Sequence, residues 1–237
     1  MSGNNSHQLD RMTWIYRSMW WLTRGVCRVY FRVRVEGLEH VPLQGPLILA
    51  SNHVSYLDPP VIGSMVPRVV NFLARDSLFR VPGLGWFFRQ LNTVPVDRAS
   101  GAPGLKAILD RLQAGGGIIV FPEGTRSPDG RPLPAKAGIG LTVLKSAAPV
   151  VPVRMDGAFE AWGRHRIFPR PRKIVLRFGR PLTFAAERNE AAVCSKPRLK
   201  ALYQEVADEI MVQIAAIPGT MVKGRGPCEV GYPTPKH

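Results

Sequence analysis

Short apolar or alternating runs follow one another along the chain and are separated by segments with helical periodicity. Runs bounded by polar turns predict strands at residues 31–37, 46–52, 69–74, 92–98, 117–124, 149–155 and 173–179. Apolar residues with a helical period predict helices at residues 57–65, 84–91, 104–114, 137–147 and 196–216. We expect Pro59 and Pro60 to interrupt the first of these helices early. The alternation predicts a single α/β domain in which helices flank a mixed, mainly parallel sheet.

A further helix is predicted at residues 11–30, ahead of the sheet. At about 100° per residue, Arg17, Arg24 and Arg28 gather on one side, opposite an apolar stripe that includes Leu22 and Val26, with three tryptophans toward the flanks or the arginine side. This layout is typical of an amphipathic helix in a membrane interface, although packing against the domain core is the alternative. No apolar run reaches the ~18 residues of a spanning helix. The N-terminus also lacks the pattern of a signal peptide.

The formal net charge of +15 predicts attraction to polyanions, such as nucleic acid, an anionic membrane or an acidic carrier protein. Residues 164–173 (RHRIFPRPRK) combine basic and aromatic side chains, which leaves a nucleic-acid-binding protein as an alternative of another class. No nucleic-acid-reading motif accompanies them. We therefore expect no nucleic-acid partner and interpret the segment as a membrane-facing or carrier-facing patch, or as a solvated loop.

Cysteine and histidine spacing points to no metal site. The cysteines are far apart and show neither disulfide nor metal-ligand spacing, which favours a reducing compartment; they are Cys27, Cys194 and Cys228. The histidines form no zinc-type pair. We therefore expect no metal.

Residues 52–58 (NHVSYLD) carry the first chemical motif, at the end of a buried strand. His53 follows the strand, and Asp58 begins the next helix. Imidazole accepts protons near neutral pH, and a carboxylate on its other nitrogen fixes the tautomer and stabilises the imidazolium. Ser55 lacks the Gly-x-Ser-x-Gly context of a nucleophile, so we expect the proton to come from a substrate hydroxyl. A loop histidine held by Asp58 for stability alone is the alternative.

Residues 121–127 (FPEGTRS) end another buried strand in a second polar motif. Gly124 allows the backbone to approach a ligand closely. Arg126 offers a planar fork that matches phosphate. Thr125 can add a hydroxyl, and Glu123 can either bind a glycerol hydroxyl or hold Arg126 in place. An ordinary polar turn with a surface salt bridge is the alternative.

Two more motifs complete a recognisable set. Residues 91–98 (LNTVPVDR) end in Arg98, which can also face phosphate, and residues 149–155 form an apolar Val-Pro-Val strand. In this order, NHxSxLD, VPVDR, FPEGTRS and VPV resemble the glycerolipid acyltransferase family. More narrowly, they are similar to bacterial-type 1-acyl-sn-glycerol-3-phosphate acyltransferases, over about residues 35–180.

The resemblance implies a role for each matching side chain. His53 matches the general base and Asp58 the carboxylate that orients it. The acceptor-binding motif matches Glu123, Gly124, Thr125 and Arg126, with Arg126 on the phosphate. Arg98 matches the basic end of the second motif, and Arg75 stands where many relatives have a phosphate-binding lysine.

The resemblance also implies the reaction. A fatty acyl group passes directly from acyl carrier protein or coenzyme A, as a thioester co-substrate, to the free hydroxyl of 1-acyl-sn-glycerol 3-phosphate, and no cofactor is expected. Another lyso-lipid acceptor, such as lyso-ornithine lipid or a lysophospholipid, is the nearest alternative. The expected location is the cytoplasmic face of a membrane with anionic lipids, as a peripheral or monotopic protein. The chain then divides into a disordered start with the interfacial helix (1–34), the acyltransferase domain (35–217) and a flexible tail (218–237).

Overall fold

The computed structural model describes residues 13–96 and 102–219. Its strands are β1 Arg34–Glu36, β2 Leu47–Ser51, β3 Val70–Arg75, β4 Thr93–Val96, β5 Gly117–Val120, β6 Val150–Asp156 and β7 Val175–Phe178. Its α-helices are α1 Trp14–Val29, α2 Asp58–Met65, α3 Leu84–Gln90, α4 Ala102–Gln113, α5 Ala137–Lys145, α6 Ala158–Trp162, α7 Ala185–Val193 and α8 Lys196–Ala216. Short 3-10 helices cover Leu38–His40 and Asp76–Arg80.

The strands form one sheet in the order β1-β7-β6-β2-β5-β3-β4. Every neighbouring pair is parallel except β6 and β7, which run antiparallel. Strand β2 lies between β5 and β6, and Ala50 pairs with both Val120 and Pro152. The predicted α/β domain with a mixed, mainly parallel sheet is confirmed.

Two apolar clusters cover the two faces of the sheet. All five residues of β2 are buried, because successive side chains point to opposite faces and both faces are covered. Leu47 and Leu49 belong to the cluster that includes α2 and part of α1. Ile48 and Ala50 belong to the cluster that includes α4, α5 and α8.

Helix α2 differs from its prediction at the prolines. It runs without interruption from Asp58 to Met65, with Pro59 and Pro60 in its first turn. The predicted interruption is wrong because the amide groups of a first turn have no intrahelical partner, so proline removes no hydrogen bond there. Asp58 is thereby fixed at the start of a rigid helix.

Helix α1 packs on the domain along one narrow stripe. Tyr16 and Cys27 are buried, and Arg24 donates to the carbonyl oxygen of Ser64 at 2.8 Å. Other apolar residues of the helix, including Leu22 and Val26, are exposed. The helix therefore both docks on the domain and presents an uncovered apolar surface. Its membrane role remains a prediction. Within the described residues, no helix combines the length and apolarity that crossing a membrane requires.

Candidate active site

The polar motifs meet at one edge of the sheet. His53 follows β2, Arg75 ends β3, and residues 121–127 follow β5. These strands are parallel, so their carboxyl ends lie at the same edge. The arrangement brings the first and second motifs into direct contact.

His53 and Asp58 form a hydrogen-bonded pair. The Nδ1 atom of His53 lies 2.8 Å from Oδ2 of Asp58. The same oxygen accepts the backbone amides of Val54 at 2.7 Å and Ser55 at 2.8 Å, so the loop curls around a single carboxylate oxygen. With the Nδ1 proton directed at Asp58, the Nε2 lone pair is available to take a proton.

Asp58 has no exposed surface. Burial raises the pKa of Asp58, and the hydrogen bonds from His53 and from the amides of Ser55 and Val54 oppose that rise. A buried carboxylate that stays in contact with the imidazole stabilises the positive ring that forms when the base accepts a proton.

Residues of the second motif make three contacts with His53. The backbone amide of His53 donates to Oε1 of Glu123 at 2.8 Å, and the carbonyl oxygen of His53 accepts the amide of Ser127 at 2.8 Å. The imidazole stacks on the ring of Phe121, with centroids 3.9 Å apart and planes inclined by 17°. Backbone and ring are therefore both positioned by residues that follow β5.

Glu123 is buried, and both of its oxygens accept backbone amides. Oε1 bonds His53, and Oε2 bonds the amide of Leu133 at 3.0 Å. Burial raises the pKa of Glu123 to about 7. The sequence predicted a contact of Glu123 either with the acceptor or with Arg126. In the structure, the carboxylate of Glu123 joins the loop at His53 to the loop at Leu133. The pairing of β2 with β5 brings the His53 amide to this carboxylate. A contact with the acceptor remains a prediction.

Arg126 lies over the ring of Tyr56, which belongs to the same motif as His53 and Asp58. The Cζ atom of Arg126 is 3.4 Å from the ring centroid of Tyr56. The ring of Tyr56 also contacts the ring of Trp162, and the two ring centroids are 5.4 Å apart. Nη1 of Arg126 is buried and has no hydrogen-bond partner among the described residues. A buried guanidinium donor without a partner is suited to an anionic ligand.

An open pocket of about 390 Å³ begins at these aromatic rings. Its lining combines aromatic and basic side chains, and it consists of Tyr56, Trp162, Arg164, His165, Arg166 and Ile167. The pocket therefore extends the positive surface beyond Arg126.

Gly124 has a positive φ of 66°, which favours glycine. A Cβ at this position would meet Cδ of Lys136 at 3.0 Å, so the lysine side chain passes close over the turn. Thr125 is half-buried next to it. Lys136 was not among the site residues predicted from the sequence. Its position directly before the helical segment of residues 137–147 is the only local feature of the sequence that could have drawn attention to it.

Two of the remaining candidates, Arg75 and Ser55, lie within the described residues. Arg75 is exposed at the end of β3, and Arg98 lies outside the described residues. Ser55 is buried, and its hydroxyl donates to the carbonyl oxygen of Trp162 at 2.7 Å, so it does not face His53 as a nucleophile. Among the described residues, no three His, Cys, Asp or Glu side chains are grouped to hold a metal ion.

Comparison with known proteins identifies the family of the chain. The family model described as Acyltransferase matches residues 32–156, which contain both His53 and Arg126. The chain belongs to this acyltransferase family. The resemblance that the four motifs predicted is confirmed.

Among the relatives, the chloroplastic 1-acyl-sn-glycerol-3-phosphate acyltransferase BAT2 of Brassica napus is 33% identical over 132 residues, covering 54% of this chain and 38% of that protein. A lyso-ornithine lipid O-acyltransferase of Pseudomonas aeruginosa is 32% identical over 149 residues, covering 60% of this chain and 55% of the other. The match thus spans less than two thirds of either relative.

A solved structure shares the fold. The 1-acyl-sn-glycerophosphate (LPA) acyltransferase PlsC of Thermotoga maritima superposes with a TM-score of 0.66 at 28% identity. The alignment covers 86% of this chain and 81% of PlsC.

Proposed function

We propose that this protein transfers a fatty acyl group from a thioester to the free hydroxyl of 1-acyl-sn-glycerol 3-phosphate, giving phosphatidic acid. The observation that carries the proposal is the buried pair of His53 and Asp58, 2.8 Å apart, beside Arg126 with its unpaired donor. A base and an anion-binding group share one edge of the sheet, as this reaction requires.

In the proposed mechanism, Nε2 of His53 removes the proton of the acceptor hydroxyl while that oxygen attacks the thioester carbonyl. Asp58 stabilises the imidazolium. The new C–O bond forms, the C–S bond breaks, and His53 returns the proton to the departing thiolate. No covalent acyl-enzyme is formed, which agrees with the engaged hydroxyl of Ser55.

Arg126 is proposed to bind the acceptor phosphate. A guanidinium whose Cζ lies 3.4 Å from the ring centroid of Tyr56 has lost much of its rotational freedom, so binding an anion costs little further ordering. A clamped phosphate fixes the hydroxyl against His53, and such alignment supplies much of the rate of a bimolecular reaction. Lyso-ornithine lipid is the second candidate acceptor, favoured by the Pseudomonas relative.

The acyl donor is proposed to be a thioester of acyl carrier protein or coenzyme A, both of which are anionic and suit the net charge of +15. Association with the cytoplasmic surface of an anionic membrane is supported by α1. Leu22 is 60% exposed, and Trp14 is 77% exposed on the same helix. Such side chains expose apolar surface to water, and entry into a lipid interface removes that surface from water.

A transfer assay tests the proposal. Labelled acyl thioesters of both donors are offered with a panel of 1-acylglycerol 3-phosphate, lyso-ornithine lipid and lysophospholipids, using the wild type and His53→Ala. We expect labelled phosphatidic acid from the wild type and none above background from the variant. Preferred acylation of lyso-ornithine lipid would replace the acceptor, and salt-sensitive DNA binding without any transfer would contradict the function.

A further inference from the structure

Residues 164–173, the basic loop, carry concentrated positive charge between α6 and β7. The loop contains no acidic residue, and its cations are Arg164, Arg166, Arg170, Arg172 and Lys173. None of them forms an ion pair within the part of the chain that the structure describes. The positive potential of the loop is therefore open to an anionic partner.

The middle of the basic loop projects apolar side chains into solvent. Ile167 is 82% exposed and Phe168 is 79% exposed. The loop is nevertheless shaped by bonds to α6: Nε1 of Trp162 donates to the carbonyl oxygen of Arg166 at 3.1 Å, and the amide of Arg170 donates to the carbonyl oxygen of Ala161 at 2.9 Å. The fold thus holds two apolar side chains outward between cations.

This tip continues the exposed surface of α1. The hydroxyl of Tyr30 donates to the carbonyl oxygen of Pro169 at 3.2 Å, joining the end of the helix to the loop. Val29, next to it, is 81% exposed. On its other side the loop lines the pocket that begins at Tyr56, next to Arg126.

We propose that the basic loop is a second membrane anchor that inserts Phe168 into an anionic phospholipid bilayer and holds the mouth of the site against it. A bilayer offers an anionic surface directly above an apolar interior, which matches cations flanking an apolar tip. An acidic protein or a nucleic acid would satisfy the charge and leave the tip exposed. The role of the anchor in acceptor entry rests on the proposed function. The binding of the basic loop to the bilayer does not.

Flotation of the full-length protein with vesicles tests the anchor. The vesicles are made of phosphatidylcholine alone or of equal parts phosphatidylcholine and phosphatidylglycerol, and the variants are Phe168→Ser and the double variant Arg170→Gln/Arg172→Gln. We expect Phe168→Ser to lower partitioning about tenfold on both vesicles. The double variant lowers it about 30-fold on anionic vesicles alone, and added salt removes that difference.

Controls come from the opposite side of the sheet. Val193 on α7 is 86% exposed, so Val193→Ser removes a smaller but similarly exposed apolar side chain. Lys196→Gln/Lys200→Gln on α8 removes the same charge from exposed positions. We expect both controls to partition like the wild type. Equal losses in the controls, or unchanged partitioning of Phe168→Ser, would overturn the anchor.

Two further measurements distinguish the possible binding partners of the loop and separate the membrane anchor from the proposed function. Salt-sensitive binding of acyl carrier protein or DNA that the loop variants lose, with vesicle partitioning intact, would make the loop a different docking surface and overturn the proposal. Transfer to a water-soluble short-chain acceptor should be unchanged in Phe168→Ser, whereas transfer to vesicle-borne acceptor falls. If the wild type acylates no acceptor, the proposed function fails, and flotation still decides the anchor.

Discussion

Replacing Asp58 with asparagine separates the charge of this side chain from its shape. The amide oxygen can still accept the backbone amides of Val54 and Ser55, but the imidazolium of His53 loses an anion 2.8 Å away with no exposed surface. A hydrogen bond to a charged group contributes about 1.5–3 kcal/mol, or roughly 10- to 150-fold in rate. If the asparagine NH₂ turns toward the ring, the tautomer inverts and the loss approaches about 10⁴-fold.

Stability should respond differently from rate. Burial raises the pKa of Asp58, so the fold penalises its negative charge, and an uncharged amide of the same shape should change the free energy of unfolding by less than about 1 kcal/mol. We therefore expect Asp58→Asn to melt near the wild-type temperature while kcat falls by about 10- to 10⁴-fold.

Labelled acyl transfer and thermal melting measure the two effects in the same preparations. Asp156→Asn is the matched control, because this carboxylate ends β6 and pairs with Arg154 at 3.1 Å and Arg177 at 2.6 Å instead of with an imidazole. The control should lose stability and keep its rate. Wild-type turnover in Asp58→Asn, or unfolding of that variant while the control stays folded, would refute the assigned role of the charge.

Three other changes have distinct expected results. His53→Ala should reduce transfer to background and leave the chain folded, because the contacts with Glu123 and Ser127 use its backbone; retained activity would end the mechanism. Arg126→Ala should raise KM for the acceptor about 10- to 100-fold in initial-rate assays, and an effect on donor preference alone would contradict phosphate binding. The pKa of Glu123 is raised from 4.5 to about 7, so the folded state binds its proton more tightly than the unfolded chain. The free energy of unfolding should therefore fall by about 3 kcal/mol as pH rises across this window; urea denaturation should show a flatter profile for Glu123→Gln, and parallel profiles would exclude this titration.

The sheet could be predicted from the sequence because buried strands leave continuous apolar runs. Helices α6 and α7 could not be predicted in the same way. Helix α7 buries none of its residues, so it has no apolar stripe to detect, and only its alanine and glutamate content favours a helix. Helix α6 has five residues, fewer than a periodic pattern needs, and it follows Gly157 with a φ of 83°.

The contacts of the site also divide into those that local sequence predicts and those that it does not. His53 and Asp58 lie within one loop, so their meeting follows from local spacing. The stack of His53 on Phe121 and the bond from its amide to Glu123 join segments about 70 residues apart. Those contacts depend on the register that places Ala50 beside Val120, which no local pattern contains.

The dependence of His53 on residues after β5 has a consequence for synthesis. A nascent chain that has left the ribosome only as far as α4 already contains His53 and Asp58, but it lacks the ring and the carboxylate that hold the imidazole. The contacts of His53 with Phe121 and Glu123 therefore form only when β5 pairs with the earlier strand β2, so the histidine reaches its final position late in synthesis.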